Sequence, residues 1–117
     1  MKLDKIAQEL GLECLTPDLP SGGDVEIACG HASDLLSDVL AGAPSGALLV
    51  TLQVHMNVIA VACHCELGAV IFSSGRRPEP AVVQRAVQEG VRLYASEEPT
   101  FELVGKLYGM GLRGRRR

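Results

Sequence analysis

The chain has 117 residues, a formal net charge of −3 and 47% hydrophobic residues, enough for one domain that closes a single core without staples. The acidic balance argues against a nucleic-acid surface, and 3% aromatic residues without Trp remove the stacking platforms that single strands need. No apolar run approaches the roughly 20 residues of a membrane span, and no signal-peptide pattern is found, so a soluble cytoplasmic protein is expected.

In "LDKIAQEL" the residues Leu3, Ile6, Ala7 and Leu10 recur at helical spacing, and Gly11 is the stop. A short strand is expected over residues 12–15, then a loop, "PDLPSGG", and an alternating strand, "DVEIACG". Ser33 is expected to cap a helix running through "DLLSDVLAG". Asp34 would sit in its first turn, where the dipole favours an anion, and Leu35, Leu36, Val39 and Leu40 would form the buried stripe.

"GALLVTL" is a continuous apolar run of the kind that forms a strand covered on both faces. "NVIAVACHCEL", capped by Asn57, reads as a helix apolar nearly all round, hence central and buried. "GAVIFSS" is the next strand. "EPAVVQRAVQEG" is an amphipathic helix with Pro80 in its first turn, Val82, Val83, Ala86 and Val87 inward, and Gly90 as the stop. "VRLYAS" is the last strand. Thr100 is then expected to cap "FELVGKLYGMG", with Phe101, Val104, Leu107 and Tyr108 on the core. Residues 1–112 make the domain, and 113–117, "RGRRR", read as a basic disordered tail.

Alternating strands and helices imply an α/β fold with a mainly parallel sheet and helices on both faces. A parallel sheet brings its βα turns to one edge, at the carboxyl ends of the strands. Four turns would meet there: "GHASD", "TLQVHMN", "SSGRRPE" and "SEEPT". The candidate ligand-binding residues they supply are Ser33, Asp34, Thr51, Gln53, His55, Asn57, Ser73, Ser74, Gly75, Arg76 and Thr100.

"SSGRR" is the most suggestive of these turns. Gly75 permits close approach of backbone N–H groups, Arg76 or Arg77 brings charge for a phosphate or carboxylate, and Pro78 and Pro80 stiffen the turn. The plainer alternative is that Gly75 only shapes the turn and both arginines are solvated. His55, between Gln53 and Asn57, is either a general base or an exposed histidine, since spacing fixes no carboxylate beside it. The Walker loop, the dinucleotide fingerprint and the nucleophile elbow are all missing, so no catalytic residue is assigned. The four cysteines read as reduced thiols. On a helix Cys63 and Cys65 of "CHC" would point about 200° apart, so neither metal nor cofactor is expected.

The order of these pieces resembles the DRTGG domain family. "CGHASDLLSDVLAGAPSGALLVTLQVHMNVIAVA" and the following "GAVIFSSGRRPEPAVVQRAVQEGVRLYASEEPTFELVGKLY" carry the likeness. That family is related to the amino-terminal domain of HPr kinase/phosphorylase and also occurs in regulated inorganic pyrophosphatases. Its Asp-Arg pair would fall near Gln53 to His55, where this chain has "QVH", and its Thr-Gly-Gly at Ser73, Ser74 and Gly75. The wording also resembles stand-alone members found beside iron-only hydrogenase genes, a context that implies a protein partner. The resemblance implies a non-catalytic regulatory domain that dimerises and binds a small anionic ligand, such as an adenine nucleotide, or a partner protein. The other readings are a pure dimerisation or interaction module, and a small phosphotransfer or hydrolytic enzyme using His55 and Arg76.

Overall fold

The computed structural model describes residues 1–115. Helix α1 (Leu3–Leu10) leads into a two-residue strand β1 (Glu13–Cys14), followed by a loop and a 3₁₀ turn (Gly22–Asp24). The remaining elements alternate: β2 (Cys29–Ala32), α2 (Leu36–Gly42), β3 (Ala47–Thr51), α3 (Asn57–Cys65), β4 (Ala69–Phe72), α4 (Pro80–Glu89), β5 (Leu93–Ala95) and α5 (Thr100–Gly109). The five strands form one sheet in the order β1-β5-β4-β3-β2. Strands β2 to β5 are parallel and only β1 runs antiparallel, on the outer side of β5.

Each step from β2 to β5 moves to the adjacent position in the same direction, so right-handed crossovers place α2, α3 and α4 on one face. There Val39, Val58, Ile59, Ala62, Val82 and Ala86 pack on Leu49, Val70, Phe72 and Leu93. Helices α1 and α5 cover the other face, with Leu3, Ile6, Leu103 and Leu107 against Leu48, Val50, Ala69, Ile71 and Tyr94. Alternate residues of β3 and β4 enter opposite cores, which is why both strands read as unbroken apolar runs. The expected α/β architecture, mainly parallel with helices on both faces, is the one observed.

Several local expectations are corrected. The strand at "DVEIACG" begins only at Cys29, because residues 25–27 pair instead with the chain start. Leu3 N–H donates to the Val25 carbonyl at 3.0 Å and Ile27 N–H to the Met1 carbonyl at 2.7 Å. Helix α2 starts at Leu36, not at Asp34, and Ser33 does not cap it: its hydroxyl accepts the Leu35 N–H at 3.2 Å in a tight turn before the helix. Leu35 and Leu40, expected in the buried stripe, are 65% and 48% exposed.

Asn57 is the first residue of α3 rather than its side-chain cap, and α3 is not buried all round, since Ala60 and His64 face solvent. Thr100 likewise lies inside α5 without capping it. On α5 the buried residues are Leu103 and Leu107, while Phe101 is 86% exposed and Tyr108 56% exposed.

The outer edge of β2 is covered by the chain beyond Leu112. Gly30 N–H donates to the Arg113 carbonyl at 2.8 Å, a contact that blunts an edge strand. The Arg113 guanidinium stacks 3.7 Å from the Tyr108 ring centroid. Arg116 and Arg117, the end of the basic tail, lie outside the described residues. Among the described residues no helix is long and apolar enough to cross a membrane.

Candidate functional site

The βα turns meet at one edge of the sheet, and direct hydrogen bonds join each to the next. Ser33 N–H donates to the Val50 carbonyl at 3.2 Å, Ser73 N–H to the Thr51 carbonyl at 3.1 Å, and Gly75 N–H to the Ser96 carbonyl at 2.9 Å. Strand β4 hands over to α4 on one face and β5 to α5 on the other. Adjacent strands whose chains leave in opposite directions open a crevice at their carboxyl ends, the usual ligand position in such sheets.

Here the chain itself fills that crevice. Ser74 and Gly75 stand in the left-handed region at φ 58° and 72°. Their N–H groups donate to the carbonyls of Glu98 (2.8 Å) and Ser96 (2.9 Å), and the Arg76 N–H closes the turn on the Ser73 carbonyl at 3.1 Å. The buried Ser73 hydroxyl pairs with the Thr100 hydroxyl at 2.6 Å. The "SSG" amides, expected to face an anion, are therefore engaged within the protein, and Glu97 lies over Gly75. Arg77 is held too: it forms a two-pronged pair with Glu13 of β1 at 2.9 and 2.5 Å, which holds the Glu13 carboxyl below its ordinary range.

The open space lies one strand over, between the β3–α3 and β4–α4 turns. A cleft of about 620 Å³ is lined by Gln53, His55, Met56, Arg76, Glu79 and Val82, among others. Asp34 braces the β3–α3 turn beside it from a distance in sequence. Its carboxylate accepts the Leu52 N–H at 2.7 Å and the buried Thr51 hydroxyl at 3.2 Å, while its carbonyl accepts from the Gln53 side-chain amide at 3.0 Å. The Thr51 oxygen in turn accepts the Gln53 N–H at 3.1 Å.

His55 provides the cap that Asn57 does not: its Nδ1 accepts the Asn57 N–H at 3.2 Å. With Nδ1 accepting, the neutral ring carries its proton on Nε2, which makes the outer nitrogen a donor rather than a base. The Arg76 side chain is exposed on the cleft wall, and its guanidinium forms no hydrogen bond or ion pair with any described residue.

Of the residues expected at the site, Gln53, His55 and Arg76 meet at the cleft, with Asp34 and Thr51 shaping the turn beneath. Asn57 contributes its amide to the His55 cap, Ser33 stays in its own turn, and Ser73, Ser74, Gly75 and Thr100 form the packed crevice. Sequence reading missed Met56, Glu79 and Val82 as lining residues. Among the described residues no group of three or more His, Cys, Asp or Glu converges as a metal site. Cys63 points toward Glu89 of α4 (4.0 Å) and Cys65 toward the Val39 carbonyl of α2 (3.7 Å), on different sides of α3. Burial pushes both thiols up from their ordinary range.

The fold and rim define a three-layer α/β domain with a ligand-sized cleft at the carboxyl edge of a parallel sheet. Its architecture is DRTGG-like. It is similar to the solved CBS and DRTGG domains of the regulatory region of Clostridium perfringens pyrophosphatase, complexed with the activator diadenosine tetraphosphate. The TM-score is 0.69 at 12% identity, over 89% of this chain and 44% of that one, a likeness of fold. No protein-family model matches the chain, and no curated protein matches it by sequence.

Proposed function

We propose that this chain is a regulatory ligand-binding domain that takes a small phosphate-bearing ligand of the adenine nucleotide class in the cleft between the β3–α3 and β4–α4 turns. The observation that carries the reading is Arg76, whose guanidinium has no partner among the described residues, on the wall of a cleft of about 620 Å³. In this arrangement Arg76 takes a phosphate, the start of α4 adds its positive dipole end, and His55 Nε2–H and the Gln53 amide complete a polar wall. Met56 and Val82 offer apolar contact to a base, and the Glu79 carboxylate suits a sugar hydroxyl. The pyrophosphatase region of similar fold, itself regulatory and complexed with a dinucleotide, supports the choice of ligand class. With the outer nitrogen of His55 a donor and no nucleophile beside it, the site binds without a chemical step.

Calorimetric titration with ATP, AMP and inorganic phosphate tests this. A charge-assisted contact typically contributes about 1.5–3 kcal/mol, so Arg76→Ala should weaken the best of these ligands by about tenfold or more. Absence of heat with all three, or binding untouched by the substitution, removes the cleft from the account. A second reading, an interaction module that self-associates, is favoured by Phe101, Tyr108 and Leu35, which stand 86%, 56% and 65% exposed. Light scattering separates the two: a stable dimer without ligand heat supports the second.

A further inference from the structure

At the amino end of β5, away from the turn rim, α1, the β1–β5 edge and the loop after β1 line an open cavity of about 560 Å³. Its wall is built from specific contacts. The Ser21 hydroxyl donates to Asp4 Oδ2 at 2.6 Å and accepts the Gly23 N–H at 3.2 Å. Thr16 Oγ1 accepts the Leu93 N–H at 3.2 Å, and Arg92 Nη2 donates to the Pro20 carbonyl at 3.2 Å. Gly22 lets the loop sit against α1, since a Cβ there would lie 2.9 Å from Asp4 Oδ1.

The charges inside are unusual. Among the described residues Arg92 has no carboxylate partner, and its buried Nε has no acceptor. Native proteins rarely leave such a donor unpaired, so each instance asks for an explanation. Asp4 has a hydroxyl partner and no cation. Both residues line the same cavity, yet they do not pair with each other. The Tyr94 phenol lies among them: burial raises its pKa most, the nearby Cys14 and Asp4 raise it further, and Arg92 lowers it.

Two opposite charges that line one cavity without pairing suit a ligand that carries both. We propose that this cavity binds a small zwitterion of the amino-acid class, its carboxylate on the Arg92 guanidinium and its ammonium on Asp4. The carboxylate meets the Arg92 guanidinium from the groove, with the buried Nε behind it, Tyr94 and Thr16 line the same groove, and Ala7 and Leu19 form an apolar wall for the ligand's side chain.

Nuclear magnetic resonance on the full chain reads this directly, because Arg92 Nε–H gives its own ¹⁵N signal. The probes are the common L-amino acids, and for each one that binds, the matching acid without its amino group. The expectation is that at least one amino acid shifts the Arg92 Nε–H signal at low millimolar concentration. Removing the probe's amino group, or making Asp4→Asn, should then weaken binding by about tenfold, a loss near 1.4 kcal/mol. An Arg92 Nε–H signal that stays fixed with every probe overturns the proposal. So does equal affinity for the amino acid and its des-amino partner, a comparison made on wild type that needs no variant to fold.

Discussion

Replacing Gly75 by Ala isolates the strain stored at the β4–α4 turn. Gly75 sits at φ 72°, where an L side chain costs about 1–2 kcal/mol. Restricting the unfolded chain returns about 0.4–1 kcal/mol, so the net loss expected from the backbone is about 1 kcal/mol. A second contribution looks larger than it is: the new Cβ would lie 2.7 Å from Glu97 Oε2. That atom ends an exposed, flexible side chain, and its carboxylate makes no hydrogen bond or ion pair with a described residue, so it moves aside into water. Thermal unfolding followed by circular dichroism should therefore show a fall in Tm of about 4 °C for a domain of this size. The same fall should appear when Gly75→Ala is added to Glu97→Ala. A loss of about 3 kcal/mol or more that vanishes in the Glu97→Ala background would show that Glu97 is fixed over the turn and that this reasoning is wrong.

Asp34→Ala should destabilise by about 1–3 kcal/mol, because it strips the buried Thr51 hydroxyl and the Leu52 N–H of their acceptor, and chemical denaturation measures it. The raised pKa of Tyr94 sets an alkaline limb: the phenol ionises more readily in the unfolded chain, so stability is full below the ordinary value of 10.0 and declines as pH rises beyond it. Tyr94→Phe should flatten that limb in a series of denaturation curves. Timed alkylation followed by mass spectrometry should modify Cys14 first, as it is exposed, whereas burial keeps Cys29, Cys63 and Cys65 more protonated.

The sequence carried the elements with a single strong period. The stripe of α4 from Val82 to Ala86 and the unbroken run of β3 each admit one packing, and the structure adopts it. It was ambiguous where two faces are apolar. On α5 the expected stripe of Phe101, Val104, Leu107 and Tyr108 is half met: Leu107 is buried and Val104 packs on the core, but the helix turns Leu103 inward and leaves Phe101 and Tyr108 outside. Polar residues misled for a related reason. Asp34 reads as an anion in the first turn of a helix, but its carboxylate is taken by residues 17 and 18 positions later, a partnership that local spacing does not express.

The candidate site shows the same division. Gln53, His55 and Arg76 were legible because turns in a parallel sheet converge on one edge. The filling of the "SSG" crevice depends on carbonyls of the β5–α5 turn, which no motif reports. The cavity around Arg92 was not legible either. It needs the chain start, the edge strand β1 and the loop before the 3₁₀ turn to fold against β5, and each of these reads separately as an unremarkable segment.

The most direct test of the cleft is an amide resonance map of the wild-type chain titrated with ATP. The largest shifts are expected at Gln53, His55, Arg76 and Val82, saturating together, with small changes at Asp4 and Tyr94. Shifts confined to the Arg92 cavity or to the exposed faces of α2 and α5, or no saturable shift anywhere, would contradict this expectation.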